Sequence, residues 1–81
     1  LKFLASSATA TPGSVTLRMA NKSSVSHDIA IQGGGLNQVG KIVVNGGFST
    51  VTASLKPGKY TFYCSVPGHR QAGMAGTLTV K

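Results

Sequence analysis

Between Cys64 and Met74 the chain reads Cys-Ser-Val-Pro-Gly-His-Arg-Gln-Ala-Gly-Met, which places a thiol, an imidazole and a thioether in one short segment. Pro67-Gly68 is a turn pair, able to bend the chain back so that His69 faces Cys64. Thiolate is a soft ligand, imidazole an intermediate one, and thioether soft but weak. The set suits copper far better than calcium, magnesium or manganese. Two imidazoles and a thiolate in a plane, with a long axial methionine, form the arrangement that copper uses for one-electron transfer. The segment supplies one imidazole, and the chain has one other histidine, His27. Taken singly, each residue has an ordinary reading: Cys64 as a small buried hydrophobe, His27 as a satisfied polar group, Met74 as a filler of core gaps. Taken together, both histidines, the only cysteine and a methionine converge on one metal chemistry.

These residues must be positioned by strands. Gly, Val, Thr and Ser are abundant, and β-branched or aromatic residues alternate with polar ones between Gly, Pro and Asn turn signals. Lys2–Leu4 reads as a short opening strand, and Ser7–Thr11 as its extension up to Pro12-Gly13. Ser14–Ala20 alternates with Val15, Leu17 and Met19 on one face. His27–Gln32 places Ile29 and Ile31 on the side of His27, and Gly33-Gly34-Gly35 ends that run. Leu36–Val44 leads to the Asn45-Gly46-Gly47 turn. Phe48, Val51 and Leu55 mark a further strand with the weakest alternation in the chain. Lys56-Pro57-Gly58-Lys59 is a tight turn before Tyr60–Cys64, and Gly76–Lys81 closes the chain. About seven strands at short, regular spacing predict an all-β, two-sheet sandwich.

The length of 81 residues predicts one domain, 1–81, with a core so small that a metal would be a useful staple. One cysteine excludes an internal disulfide. No apolar run is long enough for a spanning helix. The chain starts at Leu1 without an initiator Met, and a removed leader, lipid anchor or linker is an expectation from that start. The net charge of +7 favours an acidic partner or an anionic surface. The basic residues are scattered and do not interleave with aromatics, which argues against nucleic acid.

The chain resembles a cupredoxin of the plastocyanin, azurin and auracyanin type. The likeness is carried by Asn21-Lys22-Ser23-Ser24-Val25-Ser26-His27-Asp28-Ile29-Ala30-Ile31, by Tyr60-Thr61-Phe62-Tyr63-Cys64 with its auracyanin-like ligand loop, and by Gly76-Thr77-Leu78-Thr79-Val80. The resemblance implies a Greek-key cupredoxin fold and one type 1 (blue) copper held by His27, Cys64, His69 and Met74. It also implies an electron carrier rather than an enzyme. Cys64 would be the strongly donating ligand, His27 the buried one, His69 the exposed doorway and Met74 the axial donor. A docking patch of Val66, Pro67, Gly68, Ala72 and Leu36, rimmed by Arg70, would meet transient redox partners with acidic surfaces. A monomer outside the cytoplasm, periplasmic or on the outer face of the cell membrane, is expected. Asp28, the only acidic residue, stands where this family commonly has Asn. It can still accept hydrogen bonds near Ser65, and its charge would lower the reduction potential. The competing readings are copper delivery without redox cycling, or a domain cut from a larger copper oxidoreductase. A binuclear oxidase centre would need two cysteines.

Overall fold

A computed structural model describes residues 7–21, 24–69 and 73–81. Its described residues form seven strands and no helix: β1 (Ser7–Ala10), β2 (Gly13–Asn21), β3 (Ala30–Gly33), β4 (Leu36–Val39), β5 (Gly47–Leu55), β6 (Gly58–Tyr63) and β7 (Ala75–Val80). One sheet has the order β1-β7-β6-β3-β4, with β1 parallel to β7 and the other pairs antiparallel. The second sheet is the antiparallel pair β2-β5.

The sheets bury their alternate residues against each other, as a half-buried pleated surface must. Val15, Val51, Ala53 and Leu55 of the smaller sheet meet Ile31, Phe62, Leu78 and Val80 of the larger one, together with Ile29. The seven-strand, two-sheet forecast therefore holds; the Lys2–Leu4 strand lies outside the described residues. On the outer face of β2-β5, Thr16 and Thr52 share a hydrogen bond of 2.9 Å, and the Arg18 guanidinium sits 3.9 Å from the centre of the exposed Phe48 ring. That contact accounts for an aromatic left facing water.

Two expected boundaries move. The strand read over His27–Gln32 begins at Ala30, and His27 makes only an isolated bridge with Val43. The run Ile42–Val44 is not a core strand, for Ile42 and Val44 are exposed and only Val43 turns inward.

The register sets up one end of the sandwich. Tyr63 pairs with both Ala30 and Ala75, so the end of β6, the start of β3 and the start of β7 lie side by side. The residues that follow or precede these ends are Cys64, the His27–Ile29 segment and Met74. Leu36 pairs with Gly33 at the other end of β3.

Candidate metal centre

Cys64 leaves β6 fully buried, and its N–H donates to the Met74 carbonyl at 3.0 Å. The intervening loop folds on itself: His69 N–H donates to Val66 O at 3.1 Å, and Met74 N–H donates to His69 O at 3.0 Å. Gly68, with φ +83°, supplies the left-handed residue this turn requires. Cys64, His69 and Met74 are thereby tied to one another through the backbone, with His69 half-buried and Met74 2% exposed.

His27 comes from the segment just before β3. Its N–H and C=O exchange bonds of 3.1 and 2.9 Å with Val43. The buried Asn21 side chain donates from Nδ2 to both Val25 O and Val43 O, 2.7 Å each, which fastens the turn before His27 to the segment that bridges it. Asp28 is fully buried. Its Oδ1 accepts from Ser65 N–H at 2.6 Å, and its Oδ2 accepts from the Ser65 hydroxyl. Asp28 therefore links the segment of the first histidine to the residue after Cys64, as the family resemblance implied. The Ser65 hydroxyl bond was not anticipated, since serine in a loop carries no distinguishing pattern.

The donor atoms converge. His27 Nδ1 and His69 Nδ1 are 3.1 Å apart, and Cys64 Sγ lies 3.9 Å from the first and 3.6 Å from the second. The ring centroids are 4.9 Å apart and tilted by 56°, so the two imidazoles meet at their nitrogens rather than stacking. A first-row divalent ion binds nitrogen at about 2.0 Å and sulfur at about 2.3 Å; angles between tetrahedral and trigonal then require donor separations of roughly 3.3–3.7 Å. The observed triangle fits that requirement with small adjustments. Burial, and next the proximity of His69, push the His27 pKa below its ordinary value, with Asp28 pulling in the opposite direction. A neutral imidazole with a free nitrogen lone pair is the form that binds a metal.

His27, Cys64 and His69 are thus brought together, and Met74 is buried and hydrogen-bonded through its backbone to both Cys64 and His69. Leu36 is not part of this end: it lies about three residues, roughly 10 Å, down β3 from the Ala30–Tyr63 pair. There it lines a groove with Gly33, Leu55, Lys56 and Tyr60, so its place in the expected docking patch is corrected. Arg70 and Ala72 lie outside the described residues.

Fold and donor set together describe a copper protein with a cupredoxin sandwich. The chain belongs to the plastocyanin/azurin family of copper-binding proteins, whose family model matches residues 1–81. No curated protein sequence matches it. Among solved structures, it is similar to the dithionite-reduced auracyanin of the photosynthetic bacterium Roseiflexus castenholzii, with TM-score 0.80 and 24% identity over 96% of this chain and 86% of that one. It is also similar to auracyanin A, a "blue" copper protein of the green thermophilic photosynthetic bacterium Chloroflexus aurantiacus, with TM-score 0.77 and 22% identity over 99% and 89%. A reduced variant of amicyanin shares the fold at TM-score 0.72 and 17% identity, over 99% and 73%. Copper is the metal these residues fit, because a buried methionine beside two imidazoles and a thiol suits a soft ion.

Proposed function

We propose that the protein is a small electron carrier with one type 1 copper, held by His27, Cys64 and His69 with Met74 as the weak fourth donor. The observation that carries this reading is the convergence of two Nδ1 atoms and one Sγ, 3.1 to 3.9 Å apart, at one end of a rigid sandwich. Copper bound there would supply a centre that accepts and releases a single electron between its Cu(II) and Cu(I) states.

The chain's own part is to keep the donors in place in both states. The Asp28–Ser65 link and the Cys64–Met74 and His69–Met74 backbone bonds hold the two ligand segments against each other. Burial of Cys64 and His27 keeps water from the thiolate. His69 is only half-buried and follows the exposed Pro67 and Gly68, whereas Cys64, His27 and Met74 are buried, so an electron would leave the site for a partner through His69. Since the only acidic residue, Asp28, is fully buried, every charged side chain on the surface is basic. Partners with acidic rims around an apolar contact at Val66 and Pro67 would be steered to this surface, and encounter rates would fall with added salt. We place this exchange outside the cytoplasm, between transient protein partners.

Voltammetry on the copper-loaded protein, with measurement of electron self-exchange, tests the reading. A reversible one-electron wave and rapid self-exchange are expected. A colourless protein that holds only Cu(I) and shows no reversible wave would point to copper delivery instead.

A further inference from the structure

The inward face of β5 is Ser49, Val51, Ala53 and Leu55, and Ser49 is fully buried in this otherwise apolar row. A hydroxyl there is unfavourable unless it is hydrogen-bonded. Ser49 Oγ accepts the Ile29 N–H at 3.1 Å. That N–H needs a partner because the β3-β6 ladder starts only at Ala30. The Ile29 carbonyl is held as well, by Gly40 N–H at 2.8 Å. Gly40 fits so closely that a Cβ would lie 2.6 Å from Thr50 O, 2.8 Å from Ser49 Oγ and 2.9 Å from Ile29 O.

Three successive residues are therefore fixed by different parts of the fold: His27 by Val43, Asp28 by Ser65, and Ile29 by Ser49 and Gly40. Of these anchors, Ser49 is the one on the second sheet. We propose that Ser49 is a positioning residue for the first nitrogen donor. It fastens the non-ladder backbone that carries His27 to the β2-β5 sheet, so that the imidazole is in place before metal arrives and stays there when the metal changes charge. The metal half of this inference rests on the copper reading above; the anchor itself is a property of the apoprotein.

The test compares Ser49→Ala with Val51→Ala, a truncation on the same strand face that leaves Ile29 N–H its acceptor. In the apoprotein, NMR exchange of the Ile29 amide should accelerate by roughly ten- to hundredfold more in Ser49→Ala than in Val51→Ala, the effect of orphaning a buried donor. After loading with Cu(II), Ser49→Ala should release copper to a chelator faster than the Val51→Ala control and show a changed EPR hyperfine splitting. Equal Ile29 exchange and equal copper release in the two variants would overturn the proposal. Unmodified apoprotein provides a check that needs no variant. There the Ile29 amide should be protected like those of the β3-β6 ladder, and exchange at the rate of an open loop would overturn the anchor. Absence of a coloured Cu(II) complex in the unmodified protein would overturn the copper reading, and with it the metal half, while Ile29 exchange decides the anchor separately.

Discussion

Replacing Asp28 by Asn removes a buried charge beside the ligands while leaving the hydrogen-bond geometry available. Asn Oδ1 can take the Ser65 N–H now accepted by Asp28 Oδ1, and the Ser65 hydroxyl can rotate to accept from the new amide. The carboxylate is one hydrogen bond and one residue away from Cys64, which puts it on the order of 7 Å from the donor cluster. Two unit charges at that distance interact by about 2 kcal/mol at an effective dielectric constant near 20. Cu(II) carries one more positive charge than Cu(I), so the carboxylate favours the oxidised state, and its loss raises the reduction potential. With a tenfold change worth 59 mV for a one-electron couple, the rise is about 90 mV. Potentiometric titration of the two copper-loaded proteins measures it, and the visible spectrum shows whether the ligands are undisturbed. A potential that stays the same or falls, with the spectrum unchanged, would refute the electrostatic reasoning.

Met74→Leu should retain copper but raise the potential, since a weak donor that favours Cu(II) is lost; voltammetry showing no change would mean that Met74 is not a ligand. Gly40→Ala should lower the stability of the apoprotein by about 1–3 kcal/mol in denaturant unfolding, because the new methyl meets the Thr50 and Ile29 carbonyl oxygens. Acidification supplies a further test. The pKa of His27 is lowered in the folded apoprotein, so below about pH 6.5 the unfolded chain binds more protons than the folded one, and stability is lost as pH falls toward the folded pKa. Denaturant unfolding at a series of pH values should show this slope in the apoprotein, flat above it, and a reduced slope in His27→Gln.

Much of the site was legible because its chemistry is concentrated. A single loop holds Cys64, His69 and Met74, and only one other histidine exists to complete the set. The sandwich was readable from turn signals and from strands such as Ser14–Ala20, whose apolar residues are large enough to reveal their period. β5 was harder to read, although it is among the most regular strands in burial. Its inward positions include Ser49 and the small Ala53, while the bulky Phe48 points outward under Arg18. A pattern judged by hydrophobicity sees that strand inverted at one end. Ser49 is also one of three partners that put the strand boundary after His27: alternation continues through His27, Ile29 and Ile31, but hydrogen bonds to Val43, Ser65 and Ser49 replace the ladder there. Those are contacts between distant parts of the chain. The place of Leu36 is hidden for a related reason, since only the register of β3 with β4 reveals to which end of the sandwich it belongs.

The proposed function stands on His27, Cys64, His69 and Met74 holding one type 1 copper. Titration of the apoprotein with Cu(II), followed by visible absorption and EPR and run in parallel on Cys64→Ser, tests it most directly. One copper per chain is expected, with an intense thiolate-to-copper band and a type 1 EPR signal that are both lost in Cys64→Ser. An intense band retained in Cys64→Ser, or an unmodified protein that binds Cu(II) without developing the band, would contradict it.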